Sequence, residues 1–125
     1  MKEIPRITEA EWEVMKVLWK KSPNTASRIA QELADSTSWK LNTVKTLISR
    51  LVNKTAVGYK EDGKSHSYFP LINEDECIRA EWETFLKRVY GGALKPMIAN
   101  FLREQKLSPK EIAELKAILE EGKLD

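Results

Sequence analysis

The chain has 125 residues, 42% apolar and 32% charged, with a net charge of +2. That suffices for one domain or two small ones, each near the lower limit for a self-sufficient core, and fits a mostly helical globular protein. No apolar run approaches the roughly 18 residues of a membrane span and no signal-peptide core opens the chain, so a cytoplasmic protein without direct membrane association is expected.

The small net charge conceals an asymmetry. Residues 1–72 hold twelve Lys and Arg against eight Asp and Glu, whereas residues 73–125 hold nine against eleven. A polyanion partner would therefore meet the first half. The single cysteine, Cys77, excludes an internal disulfide framework. It follows Glu74-Asp75-Glu76, neighbours that disfavour a thiolate, so a buried small hydrophobe is its expected role.

Thr8-Glu9-Ala10-Glu11 has the capping-box pattern, with Ile7 ahead as a staple. The helix it opens carries Trp12, Met15, Leu18 and Trp19 and should end near Lys21, before Ser22-Pro23-Asn24. Two tryptophans on one side of a short helix read as core. Thr25 can cap a second helix from Ala26 to about Asp35, burying Ala26, Ile29, Ala30 and Leu33.

A third helix, residues 42–54, has its apolar stripe at Val44, Leu47, Ile48, Leu51 and Val52, with Asn42 able to cap it. The opposite face carries Asn42, Thr46, Ser49, Arg50 and Asn53, with Thr43 and Lys45 at its edges, and no acid. Short polar side chains and one planar guanidinium suit base edges and phosphates; the plain alternative is a solvated helix face. Second helix, polar turn and third helix with an outward polar face form the order of a helix-turn-helix, here with the longer turn of the winged variant.

After Lys54 the period changes. Val57, Tyr59, His66 and Tyr68 alternate with other residues around Asp62-Gly63, the pattern of a β-hairpin. A two-residue turn at Asp62-Gly63 would set Glu61 opposite Lys64, Tyr59 opposite His66 and Val57 opposite Tyr68. The hairpin ends at Pro70 and shows Lys60, Lys64 and Ser65 at its tip. Such a ribbon needs support from the helices, which makes it a wing. The only histidine, His66, has no companions for a metal and reads as a phosphate or water contact.

Asn73 can cap a helix to about Tyr90, with Glu74, Asp75 and Glu76 at its positive end and Gly91-Gly92 closing it. Pro96 lies in the first turn of the next helix, which ends near Gln105. Ser108-Pro109-Lys110-Glu111 is a second capping box, opening a last helix that stops at Gly122. Residues 73–125 are short for the apolar side chains they carry, so they pack on the first domain or meet a copy of themselves. A two-fold dimer doubles phosphate contacts and reads a palindrome, which favours the second option. Its contacts are expected from Ile78, Trp82, Phe85, Val89, Met97, Ile98, Phe101, Leu115, Ile118 and Leu119. The expected architecture is thus mostly α with a small β-hairpin: a winged helix-turn-helix domain, 1–72, and a three-helix dimerisation domain, 73–125.

One histidine, one cysteine, no glycine-rich phosphate loop and no paired metal ligands leave no catalytic residue, metal site or cofactor to assign, so an enzyme is not expected. DNA contacts are expected from Lys40, Asn42, Thr43, Lys45, Thr46, Ser49, Arg50, Lys60, Lys64 and His66. The competing class is a winged helix used only for protein docking, which binding of random duplex DNA at low salt would exclude.

Nearly the whole chain resembles the penicillinase repressors and methicillin-resistance regulators of the BlaI/MecI family. The resemblance rests on Ile4–Trp19, on Asn42–Leu47 with Arg50-Leu51, and on Tyr68-Phe69-Pro70. It continues through Phe85–Leu94 and Met97–Leu102. It implies a homodimeric winged-helix repressor on palindromic operator DNA, with TACA and TGTA half-sites, ahead of β-lactam-resistance genes. It also implies relief of repression when a membrane-bound sensor metalloprotease leads to a cut at Asn100-Phe101, inside the dimerisation domain. A family branch senses copper through a cysteine-rich tail; with Cys77 alone, copper sensing is not expected here. The alternative within the family is repression of other genes, copper or stress genes among them, without control by cleavage. Thr55 departs from the pattern, standing where glycine is common.

Overall fold

A computed structural model describes residues 4–121. They form two compact units that meet between Ala80 and Glu81. The first unit contains α1 (Glu9–Lys20), β1 (Asn24–Thr25), α2 (Ala26–Leu33), α3 (Leu41–Asn53), β2 (Val57–Asp62), β3 (Ser65–Pro70) and the start of α4 (Glu74–Tyr90). The rest of α4, α5 (Leu94–Glu104) and α6 (Pro109–Glu121) make up the second. The expectation of a mostly helical chain with a winged helix-turn-helix thus holds.

The capping signals at Thr8 and Thr25 act as expected. The Thr8 hydroxyl accepts from the Glu11 amide at 3.2 Å while the Glu11 carboxylate accepts from the Thr8 amide at 2.9 Å. Thr25 accepts from the Arg28 amide at the start of α2. α2 ends at Leu33, two residues before Asp35, where the Thr37 amide and hydroxyl both donate to the Leu33 carbonyl. The core joins Val14, Met15 and Leu18 of α1 to Ile29 and Leu33 of α2 and to Val44, Leu47, Ile48 and Leu51 of α3. Trp12 and Trp19 flank it, ring centroids 5.4 Å apart, and the Trp19 indole donates to the Ile72 carbonyl at 3.0 Å. That bond satisfies the one polar atom of a side chain otherwise placed among apolar neighbours.

Two sequence expectations are corrected. Asn42 does not cap α3: the helix begins at Leu41, Lys40 occupies the cap position, and no side chain bonds there. Trp39 packs against the core and draws the chain into the helix one residue early, so the Val44 amide reaches the Lys40 carbonyl at 3.2 Å.

The hairpin register also differs. Val57 faces Pro70, Tyr59 faces Tyr68 and Glu61 faces His66, so Val57–Tyr68, Tyr59–His66 and Glu61–Lys64 are not opposite pairs. Asp62 pairs with Ser65, and the loop is Gly63-Lys64. A slip of two keeps every side chain on its face, so the hydrophobic pattern cannot choose between the registers. Turn chemistry chooses. Only Gly63, at φ +65°, takes the left-handed conformation, the pattern of a type II′ turn, whereas a loop at Asp62-Gly63 would force Asp62 there as well.

β3 pairs on its other edge with β1, giving a three-stranded antiparallel sheet in the order β1-β3-β2. The two-residue strand β1 escaped the sequence reading because Ser22-Pro23-Asn24 carries only turn signals.

In α4 the Asn73 side chain accepts from the Asp75 amide at 2.8 Å, and Cys77 is buried in the first unit's core. Gly91 and Gly92 take φ +60° and +89°, and the Gly92 amide donates back to the Leu86 carbonyl, so two left-handed glycines close the helix. Ser108 and Glu111 exchange reciprocal bonds of 3.0 and 3.1 Å at the start of α6. The expected stop at Gly122 lies outside the described residues. Neither α5 nor α6 has a buried residue.

Candidate nucleic-acid interface

α3 is anchored by one stripe and presents the other. With Val44, Leu47, Ile48 and Leu51 buried, the 3.6-residue repeat turns Asn42, Thr43, Lys45, Thr46, Ser49 and Arg50 outward, and all six are exposed. Lys40 stands exposed just ahead of them. The Thr46 hydroxyl donates to the Asn42 carbonyl at 3.0 Å, which commits its hydrogen and leaves its lone pairs outward as acceptors. Among the described residues, no ion pair or hydrogen bond within the chain engages the side chains of Lys40, Asn42, Lys45, Ser49 or Arg50. A row of uncommitted donors and acceptors without an acid can bind a polyanion and sort bases at low desolvation cost.

The wing supplies a second group, which the ribbon divides. Lys60 alternates onto one face with Gly58 and Asp62, and Lys64 sits in the turn; both are exposed without an ion-pair partner among the described residues. On the other face Tyr59, Tyr68 and His66 form a ring cluster, with Tyr59 and His66 centroids 5.0 Å apart. His66 Nε2 lies 3.3 Å from Glu61 Oε1, so the histidine expected to meet phosphate already has a carboxylate beside it. Tyr59, exposed and absent from the expected contacts, is a further candidate on this face; its alternation with His66 carried the signal.

One lysine of α3's end is used internally. Lys54 Nζ donates to the Glu11 carboxylate and, at 2.8 Å, to the Arg6 carbonyl. Glu11 is fully buried. Burial alone pushes its carboxyl up, but the bonds from Lys54 and Thr8 outweigh that and hold it below its ordinary value. The sequence held a signal for this pair: Glu11 continues the buried stripe of Val14, Met15 and Leu18, and Lys54 that of Leu47 and Leu51.

In the second unit, Trp82, Phe85, Val89, Phe101, Leu115, Ile118 and Leu119 are exposed, Leu119 at 69%, and Met97 and Ile98 are half-buried. Phe85, Tyr90, Met97, Ile98 and Phe101 line an open hollow of about 600 Å³ between α4 and α5. Ile78 is exposed within the first unit. Asn100 and Phe101 sit inside α5, and the Asn100 amide donates to the Tyr90 hydroxyl at 3.1 Å.

No helix among the described residues is long and apolar enough to cross a membrane, and no cluster of His, Cys, Asp and Glu among them could hold a metal ion. The family model described as penicillinase repressor matches residues 7–121. The chain is 42% identical over 123 residues to a penicillinase repressor of Bacillus licheniformis, covering 98% of this chain and 96% of that one. It is 35% identical over 113 residues to the methicillin resistance regulatory protein MecI of Staphylococcus aureus strain N315, covering 90% and 92%. The solution structure of the DNA-binding domain of the repressor BlaI matches at TM-score 0.54 and 38% identity, over 61% of this chain and 93% of that domain. The Bacillus licheniformis BlaI monomer in complex with the blaP half-operator matches at TM-score 0.53 and 38% identity, with the same coverage. Fold, exposed polar helix and relatives agree: this chain belongs to the penicillinase repressor family, a family of DNA-binding transcriptional repressors rather than enzymes.

Proposed function

We propose that the chain is a cytoplasmic, homodimeric repressor of β-lactam-resistance genes. Residues 1–72 read operator DNA and residues 73–125 clasp a second copy. The observation that carries this reading is the outward face of α3, exposed, acid-free and without an ion pair among the described residues. Asn42, Thr43, Thr46, Ser49 and Arg50 meet base edges and adjoining backbone in the major groove, while Lys40, Lys45, Lys60, Lys64 and His66 meet phosphates and supply salt-dependent affinity. A relative of this family is known bound to a half-operator, which supports two copies on a full operator. A two-fold dimer aligns two such helices with successive major grooves.

The exposed apolar side chains of α4, α5 and α6 support self-association, since a second copy would remove them from water. Cleavage at Asn100-Phe101, following activation of a membrane-bound sensor metalloprotease, would sever α5 among those residues. The repressor would then lose its second copy and with it the second half-site. Genome-wide footprinting of the purified protein tests the reading. Paired, symmetric half-sites ahead of penicillinase genes are expected. Footprints ahead of unrelated genes would redirect the target, and the absence of sequence-selective footprints would overturn the repressor role.

A further inference from the structure

Lys54 is a cation at the end of the DNA-facing helix, and its charge invites the reading of one more phosphate contact. Its ammonium is turned inward instead. Nζ donates to the Glu11 carboxylate and to the Arg6 carbonyl, bolting the C-terminal end of α3 to the N-terminal end of α1. The anchor on the α1 side is itself rigid. Glu11 is fully buried and bonded within its capping box, so it holds the cap of α1 and the cation of α3 at once.

The pair is poorly built for stability alone. Among the described residues Glu11 Oε2 has no partner, and an ion pair whose fully buried acid is left half-satisfied contributes less than an apolar pair of the same volume. What such a pair does well is fix one arrangement, because any other leaves a buried charge uncompensated. Burial of the apolar stripe of α3 is not directional, whereas the two acceptors of Lys54 Nζ, the Glu11 carboxylate and the Arg6 carbonyl, tie the helix end to one place on α1.

We propose that the Glu11–Lys54 pair is a positioning device for DNA recognition, setting the roll of α3 so that Asn42, Thr46 and Arg50 meet base edges in register. This rests on the repressor reading, and deepens it by naming residues that act on specificity without touching DNA.

The test uses the full chain and two 30-base-pair duplexes, one with paired TACA and TGTA half-sites and one scrambled, each titrated across a range of salt. The wild-type protein must prefer the half-site duplex, and failure there counts against the repressor reading itself. In Glu11→Gln/Lys54→Met both charges go together, while the capping-box acceptor and the lysine's length remain. The preference for the half-site duplex is expected to fall by roughly tenfold, about the effect of one mismatched base pair. Binding to the scrambled duplex and its salt slope should stay as in wild type, because no phosphate contact is removed. Lys54→Arg, which keeps a donor cation, should recover part of the preference. The proposal is overturned if the double variant keeps the wild-type preference. It is equally overturned if the salt slope drops by about one, which marks Lys54 as a phosphate contact. A double variant that does not fold would also overturn it, making the pair a scaffold element.

Discussion

The amide of Ala56 donates to the carbonyl of Leu51 at 2.9 Å, closing the end of α3 over Thr55, which is held at φ +59°. The Thr55 amide completes the Schellman motif by donating to the Val52 carbonyl at 3.0 Å. Glycine takes this left-handed conformation freely, whereas a β-branched residue strains in it by about 1–2 kcal/mol. Thr55→Gly should therefore stabilise the chain by about 1 kcal/mol, part of the strain relief being offset by the greater freedom of glycine in the unfolded chain. Thermal unfolding should show a rise of roughly 4–8 °C. A lower midpoint would mean that the Thr55 hydroxyl's bond to the Lys54 carbonyl matters more than the strain.

Arg50 and Leu51 are neighbours in sequence with opposite duties. Arg50 is exposed without a side-chain partner among the described residues, while Leu51 is fully buried. Arg50→Ala should weaken binding to the operator by about 1–3 kcal/mol and leave the unfolding midpoint in place. Leu51→Ala should cost about 2–5 kcal/mol of stability by opening a cavity in the core. Gel shifts at fixed salt, paired with urea unfolding, separate the two effects. Equal operator affinity of wild type and Arg50→Ala would remove Arg50 from the interface.

Cys77 is 2% exposed, and its thiol is pushed up from 9.0 to about 11, chiefly by burial and further by the nearby Glu76. Folding favours the neutral thiol. Its contribution to stability is fully present below pH 9.0 and is lost as the pH climbs towards about 11. At pH 8 iodoacetamide should label the native chain far more slowly than the urea-unfolded chain, since both access and thiolate are withheld. Equal labelling rates would place Cys77 outside the core.

Val89 and Leu119 are 54% and 69% exposed, so a charge at either position costs the single chain little. Val89→Glu combined with Leu119→Glu should shift a dimer to monomer in sedimentation equilibrium while helical circular dichroism stays near wild type. Operator affinity should then fall and half-site affinity hold. Unchanged mass would move the self-association surface elsewhere.

Most of the fold was legible in the sequence because its signals are local. Capping boxes at Thr8 and Ser108, the α3 stripe and the Gly91-Gly92 stop each act within a few residues. The polar face of α3 followed directly, since helical geometry turns Thr46 and Arg50 outward once Val44 and Leu51 are inward. Two of the features that sequence missed or misplaced depended on partners distant in the chain. β1 exists only because the other edge of β3 accepts Asn24 and Thr25, and α3 starts at Leu41 because Trp39 docks on the core. The register of the wing was undecidable by pattern, since a slip of two preserves every face.

Glu11 and Lys54 mark the same division. Each continues the buried stripe of its own helix, so the sequence turned both side chains towards the interior, where Glu11 is fully buried and Lys54 is half-buried. Only tertiary packing decided that they would pair with each other, 43 residues apart in the chain, because pairing needs α1 and α3 brought side by side.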